Sequence, residues 1–255
     1  MRFLLYTTLF TFLLLLQTCK MGDIQDQPQN PDAPTIESGD VAQFRVKAGT
    51  YDRSFRMSDG KAWNLKIFVP ELAETDTVPL VLALHWAGNR ETYKEYADCL
   101  AFPALKELNA IVVAPSSEGL HWVRSIMETR VQELIEEIIE HWSVHENQVI
   151  VTGYSNGGIG SWEYIKKYPH LFRAAIPMAG IYDDSKVETP TYVIHGEKDE
   201  LFNAQTVEAT LKRSIAKGSP IELQLVEDFS HYMACAYVEV LKENALRMKK
   251  EVLED

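Results

Sequence analysis

Five residues, Gly153-Tyr154-Ser155-Asn156-Gly157, follow the apolar run Val149-Ile150-Val151 and precede a helix-like stretch from Gly158 to Tyr168. A strand that feeds a sharp turn and opens a helix lifts the central side chain clear of the backbone, which is where a serine nucleophile has to stand. So tight a turn demands near-absent side chains around it, and glycine fills positions 153, 157 and 158. Ser155 is therefore the leading candidate for a catalytic nucleophile. A hydroxyl is a weak nucleophile at neutral pH, so it needs a base to take its proton and a third group to orient that base. Two later apolar runs supply both. Thr191-Tyr192-Val193-Ile194 runs into His195-Gly196-Glu197-Lys198-Asp199, and Ile221 to Val226 is followed by Glu227-Asp228-Phe229-Ser230-His231. Both Asp199 and His231 then lie just beyond strand ends, the edge at which reactive groups of open parallel sheets gather. Asp228 rivals Asp199 by its nearness to His231 in sequence, but its short loop would have to fold back. Glu197 and the pair Asp183-Asp184 read as solvated loop charges. His85 and His195 sit at strand ends, where they serve loop structure. His121, His141, His145 and His170 fall on helices or their ends, in solvated or capping roles. No histidine and carboxylate cluster has metal spacing and no glycine-rich phosphate cradle is present, so no cofactor is expected.

The elements that must position these groups are legible as apolar periods. Thr50 to Met57 and Trp63 to Val69 alternate on either side of Asp59-Gly60 and predict a hairpin. Pro79 to Leu84, Ala110 to Ala114, Val149 to Thr152, Ala174 to Met178, Thr191 to Ile194 and Ile221 to Val226 are continuous apolar runs of the kind that strands buried on both faces require. Between them, Val131, Leu134, Ile135, Ile138, Ile139 and Trp142 form a helical stripe, and Thr92 to Leu108, Gly160 to Tyr168, Asn203 to Lys217 and Met233 to Leu253 are further helical segments. A hairpin followed by alternating strands and helices predicts an α/β fold, with a mostly parallel central sheet covered by helices on both faces. The connection from Ala179 to Pro190 is too short for a sizeable cap domain, so the site is expected to be open.

Over nearly all of residues 45 to 250 the chain resembles the α/β-hydrolase superfamily. Gly153 to Gly158, Tyr168-Pro169-His170-Leu171-Phe172-Arg173-Ala174-Ala175, His195 to Asp199 and Ser230-His231 are similar to its branch of feruloyl and acetylxylan esterases, polyhydroxybutyrate depolymerases and dienelactone-hydrolase-like enzymes. The order Ser155, Asp199, His231 is the chain order of that superfamily's triad. The resemblance implies Ser155 as nucleophile, Asp199 as the acid and His231 as the general base. At the first strand edge Leu84-His85-Trp86-Ala87-Gly88 stands where relatives usually show His-Gly, so Trp86 replaces a glycine. In that register the backbone N–H groups of Ala87 and Asn156 form an oxyanion hole, worth about 3 kcal/mol per donor. Trp86 and Tyr154 either line the substrate pocket or pack away from it, as does Trp162. The implied activity is carboxylic-ester hydrolysis through an acyl-enzyme, on small-molecule or polysaccharide-linked esters such as acetyl or feruloyl groups. Two alternatives remain: a serine peptidase, which would turn over an amide faster than the matched ester, and a silent surface-anchored binding protein, whose Ser155 a fluorophosphonate would not label.

A formal net charge of −12 disfavours nucleic acid and anionic membrane surfaces as electrostatic partners and otherwise serves solubility. Met1-Arg2 and the apolar run Phe3 to Leu16 have the pattern of an export signal, shorter than the about 20 apolar residues of a spanning helix. Leu16-Gln17-Thr18-Cys19 resembles a bacterial lipoprotein processing site, with Thr18 a departure from the usual small residue. The expectation is a signal over residues 1–18, lipidation of Cys19, a flexible tether over 19–40 and a catalytic domain over 41–255. With Lys20 after the cysteine, the implied destination is the outer membrane, facing periplasm or cell surface, and without lipidation the periplasm or the medium. The lipid would be the only membrane contact. Cys99 and Cys235 are left, either as a disulfide or as two small buried thiols.

Overall fold

Side-chain alternation along the central strands sets the layering. The computed structural model describes residues 37–73 and 76–254. Strands β1 (Glu37–Gly39), β2 (Gly49–Arg56), β3 (Ala62–Val69), β4 (Val78–Leu84), β5 (Ile111–Pro115), β6 (Val144–Tyr154), β7 (Ala174–Met178), β8 (Thr191–Gly196) and β9 (Ile221–Val226) join in one sheet, in the order β1-β2-β3-β5-β4-β6-β7-β8-β9. β3 runs antiparallel to both β2 and β5, and every other pairing is parallel. The helices are α1 (Thr92–Tyr96), α2 (Phe102–Leu105), α3 (Ser125–His141), α4 (Asn156–Lys167), α5 (Ala204–Ala216) and α6 (Val238–Met248). Leu80, Leu82 and Leu84 share one core with Leu134 of α3, Ile165 of α4 and Leu211 of α5. Val81 and Ala83, one residue out of phase, share the other with Tyr96 of α1, Leu105 of α2 and Leu241 of α6. Burial of such side chains stabilises by about 25 cal/mol per Å² of apolar surface removed from water, and here it also pins the register, because a one-residue slip would exchange the two cores.

The expected hairpin, parallel sheet and two helical layers are all present. The segment read as one helix over Thr92 to Leu108 instead changes pitch between α1 and α2, where Phe102 N–H reaches back to the carbonyl of Ala97. Pro103 is the physical reason, since it has no N–H to return to the preceding turn and the winding widens to accommodate it. β6 starts earlier than expected, so His145 lies on a strand and not on a helix end. His121 lies in the loop before α3. The tether expected over 19–40 also needs correction at its end: Glu37–Gly39 is already paired with Arg53–Phe55, and Trp142 Nε1 donates to the carbonyl of Val41 at 3.0 Å. Folded structure therefore begins by Glu37. The export signal, Cys19 and the rest of the tether lie outside the described residues. Residues 179–190 join β7 to β8 with no domain-sized insertion, as expected.

Cys99 and Cys235 are joined by a disulfide across a sequence separation of 136 residues. It clips the turn between α1 and α2 to the short helical turn Ala234–Tyr237 that follows His231. Closing so long a loop removes conformational freedom mainly from the unfolded chain, and native disulfides of this kind contribute about 2 to 4 kcal/mol. Replacing both cysteines by serine is expected to lower Tm by roughly 5 to 15 °C. Calorimetry of the double variant checks this, and an unchanged Tm would remove the clip from the list of stabilising features.

Candidate active site

β6 ends at Tyr154, and the chain turns into α4 through Ser155, whose φ of 54° and ψ of −114° lie outside the regions a residue with a side chain favours. The turn is held by Ser155 N–H donating to Met178 O at 3.0 Å and by Ile159 N–H donating to Ser155 O at 2.9 Å. Its closeness to the sheet requires the glycines: a Cβ on Gly157 would stand 1.8 Å from Leu84 O, and one on Gly158 2.3 Å from Met178 O.

The hydroxyl of Ser155 lies 2.9 Å from His231 Nε2, and His231 Nδ1 lies 2.7 Å from Asp199 Oδ2. A carboxylate can only accept, so Nδ1 carries the ring proton and the Nε2 lone pair faces Ser155 Oγ. Asp199 has its side chain wholly buried. Its other oxygen accepts the amides of Leu201 at 2.9 Å and Phe202 at 2.7 Å. Burial alone would raise its pKa, but the hydrogen bonds from His231 and the Phe202 amide, with the neighbouring imidazoles, more than offset that and hold it below the usual carboxylate value. Asp228, the rival, is turned outward and paired with Lys198. The loop bearing His231 is fixed by two contacts that no sequence signal announced: Glu200 Oε2 accepts the His231 amide at 2.9 Å, and the Tyr154 hydroxyl donates to His231 O at 2.8 Å. Burial keeps that phenol protonated, well above its usual pKa.

Ala87 borders the same cavity as Ser155, and Asn156 occupies the first helical position of α4, where amides have no partner within the helix. Neither N–H donates to a protein acceptor among the described residues. The Asn156 side chain is engaged elsewhere, with Oδ1 2.9 Å from His121 Nδ1, a contact that contradicts a merely solvated His121. The strand-end loop is locked by His85, which is fully buried: Nδ1 donates to Trp86 O at 2.5 Å, Nε2 accepts Ser117 N–H at 2.9 Å, and its carbonyl accepts Trp122 Nε1–H at 2.9 Å. Burial pulls the His85 pKa down to about 4, so it is neutral at physiological pH.

Trp86 and Tyr154 both line an open cavity of about 530 Å³ at Ser155, together with Glu95, Leu201, Tyr232 and Met233. Trp86 packs edge-on against Tyr96 and Tyr154, with ring centroids 5.5 and 6.2 Å away. Trp162 lies in the core instead, with Nε1 donating to Asp183 Oδ1 at 3.2 Å. Asp183 is accordingly no free loop charge, because it also pairs with Lys166, and Asp184 pairs with Arg213 at 3.3 Å and Lys217 at 3.1 Å. Among the described residues no cluster of three or more His, Cys, Asp or Glu is placed to hold a metal ion.

A serine turn at the end of a central parallel strand, with an aspartate and a histidine converging from the next strand ends, defines an α/β-hydrolase. The family model "Dienelactone hydrolase family" matches residues 116–253, more than half of the chain, and the protein belongs to that family. A bifunctional acetylxylan esterase/xylanase (XynS20E) of Neocallimastix patriciarum is 22% identical over 165 residues, covering 62% of this chain and 24% of the relative's length. The crystal structure of a thermostable esterase matches 80% of this chain and 63% of its own, at a TM-score of 0.64 and 22% identity. FphF, a fluorophosphonate-binding serine hydrolase of Staphylococcus aureus, matches 79% of this chain and 98% of its own, at a TM-score of 0.69 and 12% identity. At these identities the two structures establish a shared fold.

The neutral clamp at His85 makes a pH prediction. Folding lowers the pKa of this group from 6.5 to about 4, so the unfolded chain binds its proton more readily than the folded one. The stability it lends is whole above pH 6.5 and is lost as pH falls through about 4, where the loss reaches about 3 kcal/mol. Urea unfolding of His85→Asn beside the wild type at pH 7 and pH 4 is expected to show that share of the acid sensitivity missing from the variant. Equal losses in both proteins would contradict the assignment.

Proposed function

We propose that the protein is a serine esterase that works through an acyl-enzyme on Ser155. Ser155 Oγ attacks the ester carbonyl while His231 Nε2 takes its proton. The amides of Ala87 and Asn156 stabilise the oxyanion, and His231 returns the proton to the departing alcohol. A water activated by His231 then releases the acid. The observation that carries this reading is the unbroken hydrogen-bonded series from Ser155 Oγ through His231 to Asp199, at 2.9 and 2.7 Å, opening on a cavity. Membership of a hydrolase family and the esterase named among its relatives support ester over amide chemistry. Acetyl or feruloyl decorations of polysaccharide are the proposed substrates, in keeping with the acetylxylan esterase relative and with an entrance that no inserted domain covers. Hydrolysis of p-nitrophenyl acetate and methyl ferulate, run beside Ser155→Ala, tests it. The variant is expected to lose at least about 10³-fold in kcat and all labelling by a fluorophosphonate. Full ester hydrolysis by Ser155→Ala would overturn the mechanism.

We further propose export and lipidation at Cys19, with the domain held at the outer membrane. The Cys99–Cys235 disulfide supports an oxidising compartment. Cells expressing the full chain are expected to incorporate labelled palmitate into the protein and not into Cys19→Ala. Absence of label from the wild type would end the lipoprotein reading and leave plain secretion.

A further inference from the structure

The cavity at Ser155 carries charge of one sign. Among the described residues its lining includes no lysine or arginine, and its one carboxylate is that of Glu95 of α1, which forms no ion pair or hydrogen bond there. Two more carboxylates stand immediately behind the wall: Asp199 against the ring of His231 and Glu200 on its amide. Cations that stand close to these residues in the chain are occupied elsewhere, Arg90 with Glu118 at 3.7 Å, Lys94 with Glu91 at 2.6 Å, and Lys198 with Asp228. The chain as a whole adds a net charge of −12. Apart from Ser155 and His231 the rest of the cavity is aromatic and apolar, with Trp86 and Tyr154 in edge-on contact and the exposed side chains of Leu201, Tyr232 and Met233 at the mouth.

Resting on the esterase reading, we infer that Glu95 is a specificity-determining residue that selects neutral esters and rejects esters or lactones carrying a carboxylate. An anionic substrate would surrender hydration on entering and find no cation among the lining residues to replace it, while facing the unpaired carboxylate of Glu95 in a cavity with largely apolar walls. A neutral acyl or alcohol group of the same size meets the same walls without charge repulsion from Glu95. The negative charge that develops on the carbonyl oxygen is common to both kinds of substrate, so it does not enter their ratio. Two like charges at cavity separation discriminate on the order of tenfold, and salt reduces that because Glu95 is reached by solvent.

Two matched pairs test this on the full chain: p-nitrophenyl butyrate against p-nitrophenyl hemisuccinate, which puts the carboxylate on the acyl arm, and methyl 4-acetoxybenzoate against 4-acetoxybenzoate, which puts it on the leaving arm. After subtraction of spontaneous hydrolysis, kcat/KM is expected to favour the neutral member by about tenfold or more on at least one arm. The anionic-to-neutral ratio is expected to rise several-fold in Glu95→Gln, further in Glu95→Lys, and in the wild type as ionic strength increases. A variant that merely folds badly lowers both members of a pair together and leaves the ratio where it was. Equal turnover of both members on both arms, or a ratio unmoved by Glu95→Gln and Glu95→Lys, would overturn the inference. Inertness of the wild type toward all four esters, with Ser155 unlabelled by a fluorophosphonate, would sink the esterase reading and this inference with it.

Discussion

How near the first turn of α4 can come to the ends of β4 and β7 decides whether there is a site at all. The turn lies so close that a methyl group on Gly157 would overlap the carbonyl of Leu84, at 1.8 Å. That proximity forces Ser155 into its unfavourable backbone angles, a strain worth of order 1 to 3 kcal/mol that only a fully determined surrounding can hold. The surrounding is the double-faced sheet, in which Leu84 on one core and Ala83 on the other fix β4 in height and register. The same approach sets the amide of Asn156, unpaired at a helix N-terminus, directly after Ser155. The proposed nucleophile and one of its proposed oxyanion donors are thus consequences of one packing distance.

The proposed base depends on a different strategy, since His231 sits in a loop with no regular hydrogen-bond ladder of its own. Its position is set by contacts from several directions. Asp199 holds the ring, Glu200 the amide and Tyr154 the carbonyl, and Phe202 packs edge-on at a centroid distance of 5.4 Å. Four residues further on, Cys235 is bonded to Cys99. A catalytic group that is positioned before substrate arrives costs no reorganisation during the reaction. Here the cost of ordering a loop is met by core-anchored partners, with Tyr154 supplied by β6 and Asp199 following β8.

What could be read from the chain divides along physical lines. The continuous apolar runs of β4 to β8 have few conformations open to them once both faces must be buried, and the glycines around Ser155 announce a turn that tolerates little else, so these were legible. The pitch change before α2 was not drawn from the sequence, although Pro103 was the signal. The early start of folded structure at Glu37 was hidden because β1 is exposed and polar, so it has no apolar period to detect. Glu200, His121 and Glu95 escaped for a different reason. Glu200 and His121 contact partners distant in sequence, His231 and Asn156, Glu95 borders a cavity whose other walls come from far along the chain, and ionisable residues on a surface look alike until the fold brings one of them to a site.

Burial then sorts three imidazoles that the fold gathers around one sheet edge. His195 Nε2 lies 3.7 Å from Asp199 Oδ2, close enough to compete with His231 for its charge. It is completely buried and donates instead to Phe202 O at 2.7 Å, and burial lowers its pKa so that it stays neutral. His85 is neutral for the same reason and serves only to brace the loop of Trp86 and Ala87. His231 differs in bordering the open cavity, with Ser155 Oγ 2.9 Å from its Nε2 and the Asp199 carboxylate 2.7 Å from its Nδ1, so it alone of the three joins the serine to a carboxylate. A protonated His195 would spend that carboxylate's charge on a group that cannot reach Ser155. Keeping His195 too dry to ionise therefore reserves the charge of Asp199 for the imidazolium that the proposed reaction has to form.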